Sequence, residues 1–222
     1  MGERDCAKEE TPLKPHFVLI HGISGGSWCW YKLKSMMCNS GYVVTCIDLK
    51  GAGIDPSDPN TILSFDDYNK PLLDFLSSLP DQQKGVPDLS EFGDAYDLEF
   101  GLGVDKPPTS AIVKKELQRE IIYHMSPHED YTLASMLLRP GVIQALLDAR
   151  FPEANECLEK VPRVYIKTMY DKVVKPHQQD NMVAKWPPSQ VYVLESDHSP
   201  NFSTPFALFG LFVKVAASIG CT

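Results

Sequence analysis

The sequence predicts an α/β fold, a mostly parallel sheet flanked by helices, on three observations. Short apolar runs at 16–20, 42–49, 163–168 and 190–194 have the length and β-branched content of buried strands. Segments with helical spacing of apolar residues lie between these runs, as parallel strands joined by crossovers require. The first run, Phe17-Val18-Leu19-Ile20, breaks into His21-Gly22 and then Gly25-Gly26 just before a helix. In an open α/β sheet this puts a glycine loop at the carboxyl end of a strand, where ligands bind.

Each element follows from local pattern. Residues 1–14 are polar and are expected to form a disordered leader, and 15–222 a single domain large enough for a real core. Ser27 suits the N-cap of an amphipathic helix over 28–39, opened by Trp28, Trp30, Tyr31 and Leu33 and closed by Gly41 at C′. Gly51-Ala52-Gly53 and the Asp/Pro cluster after it form a loop. Ser64, with Asp67 at N3, caps the next helix. Its stripe is Tyr68, Leu72, Phe75 and Leu79, and Pro71 should kink it. Residues 85–110 are acidic and rich in Gly and Pro, and read as a solvated loop. Their carboxylates lack a cation-loop pattern. Val113, Leu117, Ile121 and Met125 recur every four residues and predict a helix. Ser126-Pro127-His128-Glu129 predicts another, with Ser as N-cap, Pro at N1 and Glu at N3. A last helix is expected over 206–217, packed on the core.

The net charge of −8 argues against nucleic acid or an anionic membrane surface as partner. No apolar run reaches the roughly 20 residues that span a bilayer. The N-terminus is too polar for a signal peptide. The six cysteines show no C-x-x-C spacing, which points to free thiols in a reducing compartment and a cytoplasmic protein. His124 and His128 have i, i+4 spacing, but Ser126-Pro127 breaks the helix between them, so no metal site is expected.

Gly22-Ile23-Ser24-Gly25-Gly26 matches G-x-S-x-G, the turn that carries a nucleophilic serine. An elbow normally follows a later strand. A His-Gly loop after an early strand is instead an oxyanion-loop pattern. On that reading the backbone N–H of Ile23 is the donor, and Ser24 is a small loop residue that could at most substitute for a missing nucleophile.

HFVLIHGISGGSWCWYKLKSMM followed by GYVVTCIDLKGAGID resembles the start of the plant methylesterase and hydroxynitrile lyase group of α/β-hydrolases. SPHEDYTLASMLLRP, RVYIKTMYDKVVKP and YVLESDHSP resemble later family segments in the same order. The resemblance implies an α/β-hydrolase fold with a small helical cap at about 85–160, and no cofactor. It also implies a Ser…Asp…His order, in which Asp171 of TMYDK and His198 of SDHSP match the acid and base positions. Each follows a predicted strand by a short loop, where this fold places such groups. The implied substrates are methyl esters of small carboxylate hormones. DYNKPLLDFLSSLPDQQK and SDHSPNFSTPF resemble most the branch acting on methyl indole-3-acetate.

One departure is large. Between Lys84 and Gly85 the family carries a strand, the G-H-S-x-G elbow, a helix and a strand, a unit of roughly 30 residues or more. None of it is here. The fold expected is therefore a truncated α/β-hydrolase, without the serine and without the second oxyanion donor. The first strand should then have an unpaired edge unless the strand at 163–168 moves in beside it. Two functions follow: a strongly impaired or inactive ester hydrolase, or a non-catalytic remnant that binds a small ligand.

Overall fold

The computed structural model describes residues 15–76, 93–149 and 161–219. The leader at 1–14, the Lys84-Gly85 junction and Leu79 of the expected helical stripe lie outside the described residues.

The apolar runs form the expected strands. β1 (His16–Ile20) pairs in parallel with β2 (Val43–Ile47), placing Leu19 opposite Cys46. β5 (Val164–Thr168) pairs in parallel with β6 (Gln190–Leu194), placing Thr168 opposite Leu194. Neither pair hydrogen-bonds to the other: among the described residues β1 joins only β2, and β5 joins only β6. The strand at 163–168 has not moved in beside β1. Phe17, Val18 and Ile20 of β1 and Val164, Tyr165 and Ile166 of β5 are only half-buried, although inner strands of a parallel sheet are normally covered on both faces.

Helices hold the two pairs together. α1 (Tyr31–Asn39) follows a 3₁₀ turn at Ser27–Trp30, and α8 (Pro205–Ser218) ends the described chain. Leu33 and Met37 of α1, Leu208 of α8, Leu19 of β1 and Leu194 of β6 form one buried cluster. α1 stops where the sequence indicated. Gly41 has φ 80°, its amide donates to Cys38 O at 2.9 Å, and the Tyr42 amide donates to Met37 O at 3.0 Å. This is the paired bonding of a left-handed helix cap, at a position that favours glycine. Ser64 Oγ accepts from the Asp67 amide at 3.1 Å at the start of α2 (Phe65–Leu76). α2 runs on past Pro71 as one helix.

The region expected to be a solvated loop and a long helix is built differently. β3 (Tyr96–Glu99) and β4 (Ser110–Val113) form an antiparallel hairpin. Val113, read as the start of a helix, ends β4, and α3 covers only Lys115–Ile121. α4 (His128–Leu137) follows, with Pro127 rather than Ser126 at its N-cap. α5 (Ile143–Asp148) and α6 (Pro176–Lys185) complete the helices before the short α7 (Pro200–Ser203). A buried carboxylate ties α4 to the body: Asp130 accepts from Tyr31 Oη at 2.6 Å and pairs with Lys32 Nζ. No helix among the described residues is long and apolar enough to cross a membrane.

Candidate active site

His21 and Asp48 shape the loop after β1. His21 is buried; its Nδ1 donates to Gly22 O at 2.7 Å, and its Nε2 accepts from the Leu49 amide at 3.0 Å. Both nitrogens are thus used in a neutral ring, and burial pushes its pKa below the ordinary 6.5. His21 therefore braces the backbone and is unavailable as a base. Asp48 Oδ1 accepts from the Ser27 amide at 2.6 Å. It lies so close to Gly53 that a Cβ there would fall 1.9 Å from it. Ser27 is thereby held through its backbone, and it is not the expected N-cap: Gly26 stands at the cap of the 3₁₀ turn and Trp30 at that of α1.

Between these anchors Ser24 takes φ 64°, an uncommon conformation for a non-glycine residue. The amide of Gly25 turns back to Gly22 O at 3.2 Å. The amides of Ile23 and Ser24 make no hydrogen bond among the described residues. A segment after α4 locks this turn from another side. The Arg139 amide donates to Ser24 O at 3.1 Å, and Gly141 packs on Ile23 so tightly that a Cβ would lie 2.1 Å from Ile23 Cγ1.

The carboxyl ends of β5 and β6 carry the two predicted polar residues, and the structure brings them together. His198 Nδ1 lies 3.0 Å from Asp171 Oδ2 and 3.2 Å from Oδ1. Asp171 is buried, with its side chain 5% exposed, whereas the His198 side chain is 36% exposed. Burial raises the carboxyl pKa, but the hydrogen bond and charge of His198, the Val174 amide and the Thr168 hydroxyl outweigh it and hold it below the usual range. The ionised carboxylate can only accept, so Nδ1 of His198 carries the proton, and in the neutral ring Nε2 is the nitrogen with the lone pair.

Of these groups the loop Gly22 to Gly25 and His198 line one cavity of about 370 Å³, together with the aromatic residues Trp28, Trp30, Tyr96, Tyr123 and Phe202. β4 adds Ala111, Ile112 and Val113 to the lining, and the turn after α3 adds Ile122. Gln118, 4% exposed, contributes a carboxamide whose Nε2 donates to Val113 O at 2.8 Å. Ser24 and His198 share the cavity, but no hydrogen bond joins them. Nor is any other hydroxyl or thiol among the described residues hydrogen-bonded to His198. Cys29 also lines the cavity, and burial pushes its thiol pKa up to about 12, far from a reactive thiolate. No cluster of three or more His, Cys, Asp or Glu able to hold a metal is present among the described residues.

Sequence reasoning missed Asp197, next to His198. It is fully buried and accepts from Met125, Ser126 and Ser199. Its partners lie up to 72 residues away in sequence, so no local pattern marks it.

Comparison with known proteins agrees with this architecture. A family model described as the alpha/beta hydrolase fold matches residues 15–86. Methylesterase 17 of Arabidopsis thaliana is 49% identical, over 93% of this chain and 93% of its own length. The alignment has 256 positions, at least 34 more than the 222 residues available here, so the relative has residues without counterpart in this chain. Pheophorbidase of Raphanus sativus is 40% identical over 91% of this chain and 94% of its own length. The crystal structure of the methylesterase protein MES16 from Arabidopsis superposes with a TM-score of 0.82 at 40% identity, covering 91% of this chain and 98% of that one.

Proposed function

The chain belongs to the plant methylesterases of the α/β-hydrolase fold, and from that premise we propose that it is an ester hydrolase of this type with strongly impaired turnover. Its substrates are methyl esters of small aromatic carboxylates, methyl indole-3-acetate first among them. The observation that carries the reading is His198, bonded to Asp171 at 3.0 Å, which shares one cavity with Ile23 and Ser24, whose amides are unpaired among the described residues. The aromatic lining suits a flat ring. The free thiols of Cys29, Cys38 and Cys46 support a reducing compartment, the cytoplasm.

The chemistry open to these residues is a single displacement. With an ester seated against the loop, His198 Nε2 takes a proton from water as the water oxygen attacks the carbonyl carbon. The oxyanion formed is held by the Ile23 amide. Collapse breaks the C–O bond to methoxide, the imidazolium returns its proton to give methanol, and the carboxylic acid then ionises. Asp171 stabilises the imidazolium without taking its proton. Loss of a serine nucleophile costs about 10⁶ in turnover in serine hydrolases, and loss of one oxyanion donor about 10²–10³, with the two not simply additive.

Among the described residues no hydroxyl is bonded to His198, which favours a second reading, a remnant that binds a small carboxylate or ester without turning it over. Purified protein incubated with methyl indole-3-acetate, followed by chromatography of the free acid, separates the two. Slow release that disappears in His198→Ala supports the hydrolase. Release equal in both, with indole-3-acetate still bound, supports the remnant. A rate matching that of the Arabidopsis relative would overturn the claim of impairment. Ser24→Ala tests the substitute nucleophile: a folded variant with no residual release makes Ser24 the attacking group, and an unchanged rate leaves water in that role.

A further inference from the structure

We propose that Asp197 is a positioning residue that ties the loop carrying His198 to the segment Met125-Ser126, so that what fills the cavity and where the imidazole sits are coupled. The proposal rests on the reading of His198 as the base.

Asp197 is fully buried. Oδ1 accepts from the Ser199 amide at 2.9 Å, one residue beyond His198. Oδ2 accepts from the Met125 amide at 2.9 Å and from Ser126 Oγ at 3.0 Å. All three partners are neutral donors, and they sit on both oxygens. Only a carboxylate meets this demand. An asparagine offers one acceptor oxygen, and its NH₂ must then face either the Ser199 amide or the Met125 amide, donor against donor.

The link continues in both directions. Ser126 O accepts from Arg119 Nη1 of α3 at 2.6 Å. Ile122 and Tyr123, just before the tethered segment, line the cavity, and Tyr123 packs on Phe202 with ring centroids 6.0 Å apart. On the far side Asp171 holds the same imidazole through Nδ1. His198 is thus placed by two buried carboxylates, one bonded to its ring and one to the backbone beside it. A ligand pressing on Ile122 and Tyr123 bears on His198 through Asp197.

Low-field proton NMR tests this without using hydrolysis. The Nδ1–H resonance of His198, bonded to Asp171, is assigned by its loss in His198→Ala. Ser126→Ala removes one bond at the distant end of the tether and touches neither His198 nor Asp171. It is expected to keep the fold by circular dichroism, to shift the His198 resonance, and to weaken indole-3-acetate binding, read by tryptophan fluorescence, by about five-fold, the worth of one hydrogen bond. Asp197→Asn should do both more strongly. If Asp197→Asn does not fold, Ser126→Ala decides alone. A His198 resonance unmoved in folded Ser126→Ala overturns the proposal. Absence of the resonance in the unaltered protein overturns both the proposal and the dyad it rests on. Lack of ester hydrolysis alone counts only against the enzymatic reading.

Discussion

The amide of Arg139 donates to the carbonyl of Ser24 at 3.1 Å, so the chain leaving α4 holds the one non-glycine residue among those described that has positive φ. The same arginine sends its guanidinium to the carbonyls of Gly53 at 3.3 Å, Asp55 at 2.5 Å and Ser57 at 3.0 Å. One residue therefore joins the loop after β1 to the loop after β2. The fixed fork of arginine is what allows three separate carbonyls to be met at once.

Arg139→Ala strands those carbonyls, and charge-assisted hydrogen bonds of this kind contribute about 2–3 kcal/mol. For a chain of this size that lowers Tm by roughly 5–10 °C. Arg139→Lys should recover only part of the loss, because an ammonium is a point donor. A thermal melt within 2 °C of the unaltered protein for the alanine variant would show the clasp to be idle.

Gly141→Ala places a Cβ 2.1 Å from Ile23 Cγ1 and 2.8 Å from its Cδ1. Overpacking of this kind costs about 1–3 kcal/mol. It should also displace the Ile23 amide and weaken ligand binding. Ile23→Ala removes the atoms that collide but keeps the amide, so the double variant should regain most of the lost stability. Strict additivity of the two losses would mean that the residues do not press on each other.

How far the site could be read from sequence depended on the range of the interactions. β1, β2, β5 and β6 were legible because their residues are mostly apolar and rich in β-branched types, and the placement of Asp171 and His198 because each closely follows such a run. The β3–β4 hairpin was not. Tyr96-Asp97-Leu98-Glu99 lies in a Gly/Pro-rich acidic stretch, and its fold depends on distant bonds such as Asn60 Nδ2 to Glu99 Oε2 at 2.5 Å and Thr109 Oγ1 to Asn60 Oδ1 at 2.6 Å. Ser126 has the local signature of a helix cap, yet its hydroxyl is committed to Asp197, 71 residues away. A bond donated to a distant carboxylate won over one accepted from a local amide.

Buried His21 gives the protein a pH dependence of definite sign. Burial lowers its folded-state pKa below 6.5. The unfolded chain therefore binds a proton that the folded chain refuses, and stability falls as pH drops below about 6.5. Denaturant unfolding between pH 7.5 and 5.5 should show this loss, and His21→Gln should flatten the slope. His124, whose pKa is also lowered by burial and by Lys172, keeps part of the slope in that variant. Identical slopes in the two proteins would sink the assignment.

Asp171 acts in a lower window. Its folded-state pKa lies below 3.8, so its contribution is present above about pH 3.8 and is lost as pH falls through the folded value. The stability gap between the unaltered protein and Asp171→Asn should therefore be constant near neutrality and close on further acidification. A gap that persists at pH 2 would mean that the carboxylate charge does not matter there.

The broken sheet yields the most direct test of what this chain lacks. β1 and β5 each have one edge unpaired among the described residues, and their apolar side chains other than Leu19 are half-buried. Meanwhile His198, bonded to Asp171 at 3.0 Å, already lines one cavity with Ile23. Grafting between Lys84 and Gly85 the segment of Arabidopsis methylesterase 17 that has no counterpart here should add the strands those edges lack and a serine for His198. Tm should rise, because unpaired edges and half-buried apolar strands become covered. Hydrolysis of methyl indole-3-acetate should rise by at least about 10⁴, most of what a nucleophile supplies, and should vanish when the grafted serine becomes alanine. A graft that melts cooperatively at higher temperature but hydrolyses nothing would mean that His198 and Asp171, although bonded, are no longer set where the reaction needs them.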